Sequence, residues 1–171
     1  MGEDKPIKPF EYNHNLEVTV AELRGKVIHQ IVLIENLLDV IISNYFCDDL
    51  TKRHHFLYTM LASDRMSLMS KRNVFHFIVE NSYKDFQKAH PSLSKDLKDI
   101  IELRNIFAHR IYLQQVQSDE KTMTLHAFKT DRNRLTNDPV VFTSETIREL
   151  SDKIKKTMKE VKEFYQLIEN K

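Results

Sequence analysis

Residues 94–117, SKDLKDIIELRNIFAHRIYLQQVQ, change character in their middle. From Ser94 to Arg110 the apolar residues recur at helical spacing. On a wheel of about 100° per residue, Leu97, Ile100, Ile101, Phe107, Ala108 and Ile111 gather on one side. From Ile111 onward the period shortens toward that of a strand. The stretch therefore predicts a core helix that ends where a β insertion begins. Arg104 interrupts the pattern, falling about 20° from Leu97 in the middle of the apolar face. A guanidinium keeps its charge, and burying it without partners is costly. Asn105 and His109 stand one turn apart on the adjacent flank. One helix end thus carries a permanent cation, an amide and a titratable imidazole.

On the N-terminal side, Val18 to Phe46 reads as one long helix. Val20, Leu23, Val27, Ile31, Ile34, Leu38, Ile41 and Tyr45 form its main apolar stripe. Val32, Leu33 and Val40 lie outside that stripe, and the polar strip of His29, Asn36, Asp39 and Ser43 is narrow. A helix apolar on more than one side is expected to be covered on more than one side, the second side by a partner subunit. Lys52-Arg53-His54-His55 opens a shorter helical segment to about Leu61. Ser63-Asp64 is read as the cap of a helix over about 64–82 with Leu68, Phe75, Ile78 and Val79 inward. Residues 1–15, polar and broken by Pro6 and Pro9, read as a flexible arm.

On the C-terminal side, Ile111–Gln117 and Thr122–Lys129 read as a β-hairpin around Ser118-Asp119-Glu120-Lys121. Val140–Thr143 is read as a further short strand that could join them. Ser144 is read as the cap of a last helix in which Ile147, Leu150, Ile154, Met158, Val161, Phe164, Tyr165 and Ile168 recur at three and four. The expected fold is mainly α: a bundle of four to five helices, one domain over 16–171, with a small β insertion at about 111–143.

Composition narrows the chemistry. The 171 residues include only two glycines, Gly2 and Gly25, which excludes glycine-rich phosphate loops and glycine-flanked nucleophile elbows. The one cysteine, Cys47, excludes an internal disulfide and a thiolate zinc cluster, and fits a cytoplasmic location. No apolar run is long enough to span a membrane. With 26 basic and 25 acidic residues the net charge is +1, so only local patches can speak for a nucleic-acid partner.

Taken on packing alone, Arg104 would pair with Glu35 of the first helix, with Asp39 one turn on, and His109 would complement a helix C-terminus. The string Arg104-Asn105-Ile106-Phe107-Ala108-His109, at the end of an amphipathic helix, resembles the R-x4-H motif of the HEPN superfamily in its R-N-x-x-A-H form. The order of helices resembles that family too, over most of residues 18–168. The resemblance implies a metal-independent endoribonuclease acting as a homodimer, without a cofactor, with two copies of the motif lining one cleft. RNA carries its own nucleophile, the 2′-OH, so a proton carrier and a fixed cation suffice. His109 would be the general acid/base, Arg104 would hold the scissile phosphate, Asn105 would orient it, and Glu35 and Asp39 would support Arg104 from behind. Some members of the superfamily are toxins, phage-defence components or partners of antitoxins and nucleotidyltransferases. Others are silent binding modules, and the mannitol operon repressor family shares the long first helix.

Local basic residues Lys52, Arg53, Lys71, Arg72 and Arg110, with Arg132 and Arg134, are candidates to attract RNA phosphates. They read equally as solvated helix starts and loops. The eight histidines show no H-E-x-x-H and no carboxylate–histidine spacing of di-iron bundles, so no metal site is expected.

Overall fold

A computed structural model describes residues 14–63, 65–109, 111–112, 122–131 and 134–169. Among them the helices are α1 (His14–Phe46), α2 (Leu50–Phe56), α3 (Leu68–Ser82), α4 (Lys84–Ala89), α5 (Leu93–His109) and α6 (Ser144–Glu169). A π turn, Leu57–Leu61, follows α2 directly. The expected class stands: a mainly α bundle with a small antiparallel β unit before the last helix.

α1 is the axis of the bundle. Val20, Val27, Ile31, Ile34, Leu38 and Ile41 are buried, with Leu23 and Tyr45 packed beside them, so the stripe read from spacing is the stripe that faces the core. α3, α5 and α6 pack around it. α6 contributes Leu150, Ile154, Val161 and Phe164. At one end Phe164 meets Phe75, Tyr83 and Phe86 edge-on, with ring centres 5.2, 4.8 and 4.9 Å away. Such aromatic clusters add attraction beyond burial of area.

Several boundaries differ from the expectations. α1 begins at His14, inside the segment read as an arm. Two residues of its polar strip, Asp39 and Ser43, are buried because α3 packs over that flank. The cap of α3 is Ser67, whose oxygen accepts from the Ser70 N–H at 3.1 Å. Thr143 and Thr146 cap the start of α6 reciprocally. The Thr146 N–H donates to the Thr143 hydroxyl at 3.1 Å and the Thr143 N–H to the Thr146 hydroxyl at 2.8 Å, the two-way arrangement of a capping box.

The β unit is longer than expected. β1 (Ile111–Tyr112), β2 (Thr122–Asp131) and β3 (Arg134–Thr143) form one antiparallel sheet in that order, with Ile111 opposite His126 and Thr122 opposite Thr143. The dominant hairpin is β2–β3, closing after Asp131. The expected turn at 118–121 and the rest of the 111–117 strand lie outside the described residues. Asn137-Asp138-Pro139 looks like a break in sequence yet pairs through, with Pro139 opposite His126. β3 is an edge strand, where a residue without an N–H is tolerated. Phe142 then packs against Phe107 with tilted rings whose centres are 4.9 Å apart, seating the sheet on the end of α5.

Charged pairs stitch α5 to α6. Lys156 reaches Asp96 at 3.0 Å and the Ser92 hydroxyl at 2.7 Å, and Lys153 reaches Asp99 at 2.9 Å. Burial pushes the Asp96 carboxyl up, but the bonds from Lys156 and Ser92 and the charges of Lys156 and Lys153 outweigh it, so its pKa lies below the ordinary 3.8. A depressed carboxylate contributes stability that is present above the ordinary value and lost as pH falls through the folded one. Asp96→Asn is therefore expected to lower Tm at neutral pH, with the gap to the parent closing below about pH 3. Paired melting curves across the acid range check this, and a gap of constant size removes Asp96 from the acid response.

Candidate functional site

The motif residues sit on the last two turns of α5. Asn105 and His109 are exposed, and Arg104 is half-buried. The half-burial of Arg104 matches its place on the apolar face, and its guanidinium meets Asn105 at the exposed surface. The guanidinium donates to the Asn105 side-chain oxygen at 3.3 Å. Among the described residues it has no carboxylate partner.

The expected support from Glu35 and Asp39 is absent. Both are bound instead to Lys71, whose ammonium lies 2.7 Å from Glu35 Oε1 and 2.9 Å from Asp39 Oδ2. The register of the bundle explains this. Arg24 of α1 donates to the Phe107 carbonyl at 2.8 Å, and Arg72, next to Lys71, donates to the Ser94 carbonyl at 2.8 Å. The beginning of α5 therefore lies near residues 35–39 of α1, and its end lies near Arg24. Arg104 comes level with about Val27–Ile28, some 10 Å along the axis from Glu35.

The Lys71 cluster is interior. Lys71 is 2% exposed and Asp39 4%, and the second Asp39 oxygen, Oδ1, has no hydrogen-bond partner. Burial pushes the Asp39 carboxyl above its ordinary pKa, the bond and charge of Lys71 pull it back only in part, and Glu35 adds to the rise. For Lys71, burial pulls the ammonium down, but bonds and charges from both carboxylates outweigh it and the pKa stands above 10.5. Lys71 is thus a buried counter-ion and cannot meet RNA phosphate.

The other basic candidates divide by position. Arg72 is half-buried and its guanidinium is committed to Ser94. Arg53 is half-buried and donates to the Cys47 carbonyl at 3.1 Å. Lys52 is exposed but lies beyond the far end of α1, about 30 Å from Arg24 by the helical rise. These three do not border the motif. Arg110 and Arg132 lie outside the described residues, and Arg134 is placed only as the first residue of β3.

Arg24 was not singled out by spacing, yet it is the residue of α1 that reaches the motif. It brings a second guanidinium to the carbonyl end of α5, where the helix dipole favours a cation. Nothing in the periodicity of either helix signals this contact, which joins residues 83 positions apart.

Among the described residues no three His, Cys, Asp or Glu side chains converge as a ligand set for a metal ion, and no helix is long and apolar enough to cross a membrane. Comparison with family models, with curated proteins and with solved structures gives no match. The fold and this helix end define the class only as a mainly α bundle with a half-buried arginine and an exposed histidine at the end of one helix.

Proposed function

We propose that the chain is a metal-independent endoribonuclease of HEPN type, cleaving RNA by attack of the 2′-OH on the adjacent phosphorus. One observation carries the proposal: Arg104, Asn105 and His109 share an accessible helix end, and the Arg104 guanidinium is free of any described carboxylate. A cation left without a counter-ion is available to a phosphate.

His109 accepts the 2′-OH proton as the 2′ oxygen bonds to phosphorus, and an imidazolium returns a proton to the departing 5′ oxygen. Arg104 neutralises the charge that grows on the non-bridging oxygens. Asn105 holds the guanidinium through its side-chain oxygen, and its amide nitrogen remains to orient the phosphate. The products are a 2′,3′-cyclic phosphate and a 5′-OH. A twofold partner is part of the proposal. Val32 and Leu33 on α1 are 38% and 42% exposed, an outward apolar strip beside His29 and Asn36 that a second copy would cover.

Purified chain incubated with labelled RNA in EDTA is expected to yield fragments with cyclic-phosphate ends, and sedimentation at micromolar concentration to give a dimer. Intact RNA across structured and unstructured substrates removes the activity, and a clean monomer removes the shared cleft.

A second reading is a catalytically silent helical interaction or regulatory module, acting with an antitoxin, with a nucleotidyltransferase or as a repressor-like regulator. The commitment of Glu35 and Asp39 to Lys71 favours it, because Arg104 then lacks the carboxylates expected to position it.

A further inference from the structure

α2 buries none of its seven residues. Around it Phe46, Leu50, Tyr58 and Met60 are all exposed, Leu50 to 61% and Tyr58 to 70%. The helix passes into the π turn, where the Ala62 N–H bonds back to the Leu57 carbonyl at 2.8 Å. π turns inside helices recur at functional sites. Between these elements lies an open groove of about 800 Å³. Cys47, Phe56 and Met60 contribute to its almost wholly apolar lining, and Lys52, His55 and Arg65 border it.

Among the described residues, the charged side chains that line this groove, Lys52 and Arg65, are both cationic. Among the described residues no carboxylate lines it, and neither the Lys52 ammonium nor the Arg65 guanidinium has a carboxylate partner. Asp48 and Asp49 are exposed close by in sequence but do not line it, and Asp49 caps α2, accepting from the Lys52 N–H at 2.8 Å. A second copy docked about a twofold axis would set Lys52 and Arg65 against their own counterparts, like charge on like. Nucleic acid would satisfy the cations but leave the apolar floor uncovered. An occupant apolar on one face and acidic along its flanks matches both features.

We propose that this groove docks an amphipathic, acidic helix of a partner protein. The surface lies at the opposite end of α1 from Arg24, so it is separate from the ribonuclease site proposed above and does not depend on it.

The probe is a synthetic helical peptide of about sixteen residues, with leucines at i, i+3, i+4 and i+7 and glutamates on the flanks. Fluorescence anisotropy with the full chain is expected to give saturable binding, about tenfold weaker when Lys52→Glu and Arg65→Glu are combined and lost in Met60→Asp. A peptide with lysines in place of the glutamates is expected to bind at least about tenfold more weakly. All three positions are exposed, so circular dichroism should show an unchanged fold. Absent binding of the acidic peptide, or binding indifferent to these substitutions, overturns the proposal. So does a groove that takes oligouridine or phosphatidylglycerol vesicles in its place, with loss in the same variants.

Discussion

His109→Ala is expected to lower RNA cleavage in EDTA by about a thousandfold while leaving Tm within a degree or two of the parent. The size follows from what a positioned proton carrier contributes, roughly 10² to 10⁴ in rate. The small change in stability follows from exposure: the imidazole is at the surface and no described ion pair includes it. Arg104→Lys keeps the charge but loses the planar fork, so cleavage should fall about tenfold to a hundredfold. Arg104→Ala should fall further, with circular dichroism unchanged. Gel assays on one RNA substrate, run beside melting curves, separate the outcomes. If His109→Ala cleaves as well as the parent, the activity belongs elsewhere or to a contaminant. If Arg104→Ala unfolds, its stem is a packing element and the silent-module reading gains.

Lys71→Met is expected to produce the largest loss of stability, about 3 kcal/mol or roughly 10 °C in Tm. The substitution keeps an apolar stem of similar length and removes only the ammonium. Asp39, 4% exposed with one oxygen already unpartnered, and half-buried Glu35 are then left together without a counter-ion. The pH response fixes the cause. The Asp39 carboxyl already stands above its ordinary value, and without Lys71 it rises further. An acid whose folded pKa is raised gains stability relative to the unfolded chain as pH falls from the folded value toward the ordinary 3.8. The variant should therefore recover part of its deficit between neutral pH and about pH 4. On the alkaline side, the parent keeps the contribution of Lys71 below 10.5 and loses it as pH rises through the folded value; the variant lacks that limb. Combining Lys71→Met with Asp39→Leu and Glu35→Gln should restore most of the stability, as apolar replacement of buried ion clusters often does. A single variant that melts within about 2 °C of the parent shows the cluster to be energetically idle.

Spacing within elements was a sound guide to this fold. The stripe Val20–Val27–Ile31–Ile34–Leu38–Ile41, the inward set Phe75, Ile78 and Val79, and the repeat along α6 all appear in the core, because helix geometry fixes which side chains share a face. The change of period after Arg110 marked the start of the β unit. What spacing misjudged were edges and caps. The cap of α3 is Ser67 rather than Ser63-Asp64, Thr143 and Thr146 form a capping box at the start of α6, and Pro139 pairs within β3 because an edge strand tolerates it. α4 went unread because six residues carry less than two turns of pattern.

The candidate site divides along the same line. That Arg104, Asn105 and His109 share one end of one helix is a property of sequence, since residues within five positions of one another on a helix cannot do otherwise. Which carboxylates face which cation is a property of the assembled bundle. Glu35 and Asp39 are each one residue among many on α1 until the rotation and slide of α3 and α5 bring Lys71 to them and carry Arg104 about 10 Å away. The same slide brings Arg24 to the Phe107 carbonyl. Local periodicity determined the faces of each helix. Only the packing of those faces decided the pairs between them, because the depth and turn at which two helices meet depend on every side chain along the seam.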